Sequence, residues 1–387
     1  MASVSKEDTD RIHALHGRLS GWLCDAAYPL WATRGMDPAG GFHERLSQSG
    51  EPLAEPRRGR VSPRQAYCFA MAPALGWRGD AAALVKHGLD YFVAKYRRPD
   101  GLFRTLVNAD GSARDDGALL YDQAFGLLAF NVGASIGERA ERERQARELL
   151  GMVMMLTKRA DVGFETGVPA SMPLQSNPHM HLLEAALAGC EVCAESSVWK
   201  QLADGLADLA LTRFLDANGA LHEFFDEQWS PAPGIQGRIV EPGHQFEWAW
   251  LLLRWGGPGR GQVDARAKAA ALTLIEIGET HGVRNGLAFN SMLDDFSPHD
   301  AGARLWPQTE RLKAAALAAR LTGEARYFAM TVVAAEGLQR YLDTPVPGLW
   351  FDRIDAQGNV VDEPAPASSF YHLVAAVAEL SALARAI

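Results

Sequence analysis

Apolar stretches of two kinds alternate along the chain, regularly enough to predict an architecture. The first kind turns almost wholly apolar after a polar start and is rich in small residues: SPRQAYCFA, LLYDQAFGLLA, SNPHMHLLEAALA, PGHQFEWAWLLL, LWPQTERLKAAALAA and SSFYHLVAAVAEL. The second kind keeps a charged face at helical spacing, as in AALVKHGLDYFVAKYRR and ERERQARELLGMVMMLTKR, and RIHALHGRLSGWLCDAAYPLW near the N-terminus is of the same type. Pro63, Pro178, Pro242 and Pro307 stand near the first turn of four apolar helices, where a missing N–H does no harm. Pro73, inside the first of them, predicts a kink or an early end.

Glycine strings punctuate this alternation. GGFHE at Gly41, GLFRT at Gly101, GFETG at Gly163, GALHEF at Gly219, GLAFN at Gly286 and GLWFD at Gly348 recur at intervals of 56 to 67 residues. Polar turns such as NADGSA and DAQGNV follow, which predicts a short hairpin in each repeat. An apolar helix must be surrounded, and an amphipathic one must keep a face in water. Six inner helices wrapped by six outer ones satisfy both, so the expected fold is all-α: an (α/α)6 barrel with short β-hairpins at one rim, one domain over residues 1–387. All six inner N-termini then lie at one end.

Composition narrows the partners. With 48% hydrophobic and 22% charged residues the chain is an ordinary globular one, and a formal charge of −9 argues against nucleic acid and anionic membrane surfaces. The start is acidic and amphipathic where a signal peptide needs an apolar core, and no stretch approaches the roughly 20 apolar residues of a membrane span. A cytoplasmic monomer or homodimer is expected. Cys190 and Cys193 form a CxxC without a second pair to complete a zinc site, inside an apolar helical pattern, so buried reduced thiols are expected.

The first turns of the inner helices bring Arg64, Tyr121, Asp122, Asn177, His181, His244, Glu247, Trp306, Glu310 and His372 to one mouth. His181 with Glu184, and His244 with Glu247, are i,i+3 pairs on one helix face, each a histidine that a carboxylate can orient. Two His-x-x-Glu pairs can also ligate a divalent ion. That reading ranks second, because no His-x-x-x-His occurs and His372 stands apart on the last helix. His179 diverges from His181 by about 200° and is expected at the surface or behind the site.

Neutral histidines, carboxylates and an arginine in an aromatic cavity suit proton transfer beside a carbonyl. Histidine's ordinary pKa of about 6.5 lets it take and return a proton at neutral pH. Arg64 and the converging helix N-termini would stabilise an enediolate. Trp306, with Trp248, Trp350 or Tyr121, offers a flat face to a sugar ring. Two other readings compete: a glycoside hydrolase using Asp122 and Glu310 as its acid pair, and a sugar-binding protein with a vestigial site. Arg57, Arg58 and Arg60 near the mouth leave phosphorylated or sulfonated sugars open.

At these residues the chain resembles the N-acylglucosamine 2-epimerase superfamily, which includes cellobiose 2-epimerases and mannose isomerases. SPRQAY, NPHMHLLEA, GHQFEWAWLL, LWPQTE and FYHLVA carry the resemblance, in order, across all six repeats. It implies an (α/α)6 barrel that works without metal or other cofactor on a small-molecule sugar. It also implies acid/base work by His244 and His372, with Arg64, Asn177, His181, Glu247 and Trp306 in support. Tyr121 and Glu310 complete the expected substrate-binding set. WLCDAAYPLWATRGMDPAGGFHE and the RQAY and EWAWLL strings are closest in appearance to bacterial mannose isomerases, so D-mannose to D-fructose is the expected reaction and 2-epimerisation the alternative.

Overall fold

The computed structural model describes residues 5–193, 196–257 and 264–387. Its helices are α1 (Lys6–Trp22), α2 (Tyr28–Thr33), α3 (Val61–Met71), α4 (Ala81–Tyr96), α5 (Leu120–Gly133), α6 (Arg139–Leu156) and α7 (Ser176–Val192). They continue with α8 (Ser197–Leu209), α9 (Pro242–Trp255), α10 (Ala265–Gly282), α11 (Leu305–Thr322), α12 (Ala325–Gln339) and α13 (Phe370–Ala384). A π-turn over Leu23–Ala27 joins α1 to α2.

The inner ring closes on itself. α3 packs on α5, α5 on α7, α7 on α9, α9 on α11, α11 on α13, and α13 back on α3. Around it, α4 lies on α3, α6 on α5, α8 on α7, α10 on α9 and α12 on α11, while α1 fills the last outer place against α12 and α13. This is the (α/α)6 barrel that the alternation predicts. Burial follows the helix type: every residue of α5 from Asp122 to Gly133 is buried, whereas α8 buries a stripe of Trp199, Leu202, Ala203 and Leu206. The run Ala314, Ala315, Ala316, Ala318 and Ala319 lets α11 approach its neighbours closely. α3 stops at Met71 and Pro73 opens a 3₁₀ turn over Pro73–Leu75, the early end expected of that proline. Ala367–Ala384, a 3₁₀ turn and α13 together, is long and apolar enough to cross a membrane, which corrects the expectation that no stretch comes near a span, and it is 83% buried within the barrel.

The strands correct one expectation. Hairpins within a repeat do form, as between Leu106–Val107 and Ala113–Asp115 and between Ser291–Leu293 and Pro298–Asp300. The recurring pairing, however, runs between repeats. The strand that leads into an inner helix pairs antiparallel with the next repeat's strand: Arg57–Arg58 with Leu106–Val107, Ala118–Leu119 with Gly167–Val168, and Leu174–Gln175 with Phe224–Phe225. Ile239–Val240 with Leu293 and Met292, and Ala303–Arg304 with Ile354 and Arg353, continue the series. Arg45–Leu46 with Pro366 and Ala365 closes it between the first and last repeats. Sequence shows that turns exist, but which strand a short strand joins is decided by the ring.

All six punctuating glycines have positive φ, from +70° at Gly41 to +94° at Gly348, a region that L side chains avoid. The turns they make are clamped by the inner helices. Gln123 both accepts from Phe103 N–H and donates to Phe103 C=O, and Gln245 does the same at Leu221 and Gln308 at Ala288. In the third repeat His179 takes this place, its Nε2 accepting from Phe164 N–H at 3.0 Å. His179 is therefore fully buried structural furniture and not a surface residue. Cys190 and Cys193 are thiols, as expected, but only half-buried at the end of α7, a correction to the expected burial.

Candidate active site

Eight of the predicted mouth residues line one cavity of about 300 Å³: Arg64, Tyr121, Asn177, His181, His244, Glu247, Trp306 and His372. Because α3, α5, α7, α9, α11 and α13 all start at this end, their first turns deliver these side chains together. Gly243 is part of the reason: a Cβ there would lie 2.4 Å from the Trp306 ring, so only glycine lets the indole lie against the start of α9. Trp306 sits beside both histidines, its ring centre 4.9 Å from that of His244 and 6.0 Å from that of His372. Trp248 and Trp350 are fully buried in the core, which leaves Trp306 and Tyr121 as the aromatic faces of the cavity.

The two histidines are held by different means. His244 Nδ1 meets Glu223 Oε2 at 2.7 Å, and that carboxylate accepts a further bond from Ser176 Oγ. The expected pairing of His244 with Glu247 is not made; the orienting acid comes from the GALHEF string of the preceding loop. Burial alone would lower His244, but Glu223 and Glu241 outweigh it and push its pKa up to about 10. His372 Nδ1 meets Glu310 Oε1 at 2.8 Å. Here burial, with the cations Arg64 and Lys313, holds the imidazole well below its ordinary value. His181 is likewise kept neutral, chiefly by burial, with a pKa lowered to about 3, and its Nδ1 lies 3.4 Å from Glu184 as the sequence spacing predicts.

Glu310 and Asp122 lie behind the cavity, which corrects Glu310 as a substrate-binding residue. Glu310 is spent on His372 and on Lys313, whose Nζ is 2.6 Å away. Asp122 is fully buried against Arg60 Nε at 3.1 Å and accepts from Thr105 Oγ1. Neither is placed to flank a glycosidic bond. Among the arginines, Arg58 and Arg60 reach the cavity, and Arg57 is instead a buried ion pair with Asp37. Arg304 and Asp352, unremarkable in sequence, also line the mouth.

Unspent polarity points into the cavity. Both carboxyl oxygens of Glu247 and Asn177 Oδ1 are buried without a hydrogen-bond partner. Burial pushes both Glu247 and Glu310 up, Glu247 well above the usual carboxylate range; the Lys313 ammonium against Glu310 favours Glu247 as the holder of the proton that the pair shares. Arg64 donates to Tyr121 Oη at 2.6 Å and to Ser368 C=O at 2.9 Å, and no carboxylate among the described residues pairs with it. Ligand atoms of His181, Glu184 and Glu247, and of Glu247, Glu310 and His372, lie within 4.8 Å of one another. The Lys313 ammonium already occupies one side of the second group, and Tyr371 Oη already donates to Glu184 in the first.

Among known proteins this barrel falls with enzymes that isomerise or epimerise sugars. The chain belongs to the N-acylglucosamine 2-epimerase family, whose model matches residues 40–376. It is 50% identical over 379 residues to a protein of Rhizobium meliloti (strain 1021) named mannose-6-phosphate isomerase, covering 95% of this chain and 97% of that one. A D-mannose isomerase of Thermobifida fusca is 28% identical over 375 residues, with 86% and 89% of the two chains covered. The structure of cellobiose 2-epimerase from Spirochaeta thermophila DSM 6192 superposes with a TM-score of 0.86 at 19% identity, over 97% of each chain.

Proposed function

We propose that this enzyme interconverts an aldose and a ketose, D-mannose and D-fructose, by histidine acid/base chemistry without a metal. His372 Nε2 removes the C2 proton, and the electrons move into an enediolate whose charge Arg64 balances. The same base returns that proton to C1. His244, a held imidazolium, donates to the sugar oxygens, relays the second proton from O2 to O1 and assists ring opening, while Glu247 beside it orients the sugar as a hydrogen-bond donor. His181, Tyr121 and Asn177 orient the open chain over Trp306. A cavity of about 300 Å³ is at the small end of ligand sites and suits one sugar ring.

The two carboxylates beside His244, Glu223 at 2.7 Å and Glu241 at 3.8 Å, are the observation that carries the isomerase reading over the epimerase one. Inversion at C2 is reversible, so each face needs a group that acts as base in one direction. His244, with a pKa raised to about 10, keeps its proton at neutral pH and serves poorly as the second base. Isomerisation asks carbon-proton work of one base only. A 6-phosphorylated substrate is the second reading, favoured by the name of the 50% identical relative and by Arg58 and Arg304 at the mouth, with side chains 38% and 37% exposed. Each of those arginines already faces a carboxylate, Glu44 and Glu241 respectively.

Incubation of D-mannose in deuterium oxide, followed by proton NMR, tests the reaction. D-fructose is expected as the main product, with slow solvent exchange. Glucose appearing first with deuterium at C2 would make the enzyme a 2-epimerase. Mannose 6-phosphate run alongside decides the substrate, and an oligosaccharide left uncleaved counts against hydrolysis.

A further inference from the structure

Lys313 is fully buried in the alanine-rich part of α11 and does not line the cavity. A buried ion pair is seldom the most stable way to fill a core, since apolar residues of similar volume commonly do as well or better. Its surroundings give it a use. Nζ lies 2.6 Å from Glu310 Oε2 and 3.7 Å from the centre of the Trp250 ring. The other Glu310 oxygen holds His372 Nδ1 at 2.8 Å. One carboxylate is thus shared between an ammonium below and an imidazole at the cavity.

We propose that Lys313 is a positioning residue for the reaction: it fixes Glu310 as a carboxylate, so that His372 keeps its proton on Nδ1 and presents a free Nε2 to the substrate. The inference rests on the reading of His372 as the base. It takes in the charges around that ring from each packed helix. Arg64 faces it from α3, Glu184 and His181 from α7, His244 and Glu247 from α9, and Glu310 and Lys313 from α11. With His181 and Glu247 neutral, the cations Arg64, His244 and Lys313 stand against the carboxylates Glu184, Glu223 and Glu310. Removing Lys313 leaves Glu310 without its counter-charge, so the full pull of that carboxylate falls on His372 and favours its protonated form.

The test follows His372 by nitrogen-15 NMR and by the pH profile of kcat/KM, in wild type and in Lys313→Met. Wild-type His372 is expected to be neutral at pH 6 with the proton on Nδ1. In Lys313→Met its titration, and the acid limb of kcat/KM with it, should rise by about one pH unit or more, while KM changes less than about twofold, because Lys313 makes no contact in the cavity. In a Glu310→Gln background the same substitution should add less than about twofold, since the carboxylate it acts through is gone. An unmoved titration in Lys313→Met, a charged His372 in the wild type, or full additivity with Glu310→Gln would overturn the proposal. The NMR readout needs no turnover, so loss of the base assignment, shown by an active His372→Ala, is seen separately. If Lys313→Met fails to fold, Lys313→Met/Glu310→Gln against Glu310→Gln gives the same comparison without a stranded buried carboxylate.

Discussion

His244 on α9 and His372 on α13 each offer Nδ1 to a buried glutamate at nearly the same distance, 2.7 Å to Glu223 and 2.8 Å to Glu310. One is nevertheless held protonated, with a pKa raised to about 10, and the other neutral, well below the ordinary value. The direct partner alone therefore does not set the charge. What differs is the next neighbour: Glu241 lies 3.8 Å from His244 and adds a second negative group, whereas Arg64 and Lys313 surround His372 with positive ones. Two copies of one constellation become an acid and a base through charges one side chain further out, the separation of roles that acid/base catalysis at a single pH requires.

The largest expected effect breaks the pair outright. His372→Ala and His244→Ala should each lower turnover by about 10²-fold or more, the usual worth of a general acid or base, with the circular dichroism spectrum unchanged. Near-normal turnover in either variant would remove that residue from the mechanism.

A smaller effect sharpens the contrast. Activity needs His372 neutral and His244 charged, so kcat/KM should fall only below the depressed pKa of His372 and only above the raised pKa of His244. A broad plateau through neutral and mildly basic pH is the result, where two unperturbed histidines would give a narrow maximum near 6.5. Glu223→Gln removes the nearer negative charge from His244, so the basic limb should move down and activity at pH 8 fall by roughly tenfold. At pH 6 the loss should be smaller. A basic limb that stays in place would show that Glu223 only fills space.

Sequence revealed one half of this contrast and hid the other. Glycine strings and the two helix types reveal the barrel because backbone conformation and burial are paid for locally, residue by residue. The histidines are legible for the same reason, as polar groups at the start of apolar helices. Their partners are not. An i,i+3 spacing correctly joins His181 to Glu184 but wrongly joins His244 to Glu247, because the nearer acid, Glu223, arrives from a loop 21 residues earlier. A signal was present: Glu223 and Glu44 are each the acid of an HE pair inside a punctuation string, and both are buried. Lys313 was likewise visible as a charge at the head of an alanine run. Which charge each one meets is a property of the closed ring.

Glu247 gives a milder test. Burial and the nearby Glu310 favour the protonated form of its carboxyl, which has no hydrogen-bond partner beside the cavity, so it is expected to act as a hydrogen-bond donor and not as a base. Glu247→Gln keeps the shape and a donor, and kcat should fall by less than about tenfold. A loss of about 10²-fold or more, with KM unchanged, would make Glu247 a proton-transfer group in its own right and give the cavity a third participant.

Metal removal should have the smallest effect, none at all, and the reason again lies in the unlike walls. A divalent ion would find its best donors in Glu247, Glu310 and His372, whose ligand atoms lie within 4.8 Å of one another. There it would meet the Lys313 ammonium 2.6 Å from Glu310, and it would need Glu247 to give up its proton. On α9 His244 is held as a cation and cannot ligate without losing its proton. Exhaustive EDTA treatment followed by gel filtration should leave kcat and KM for D-mannose unchanged. Loss of activity that returns on adding Mn²⁺ or Zn²⁺ would mean that the wall around His372 is a metal centre, and the contrast between the two histidines would then be one between a ligand and an acid.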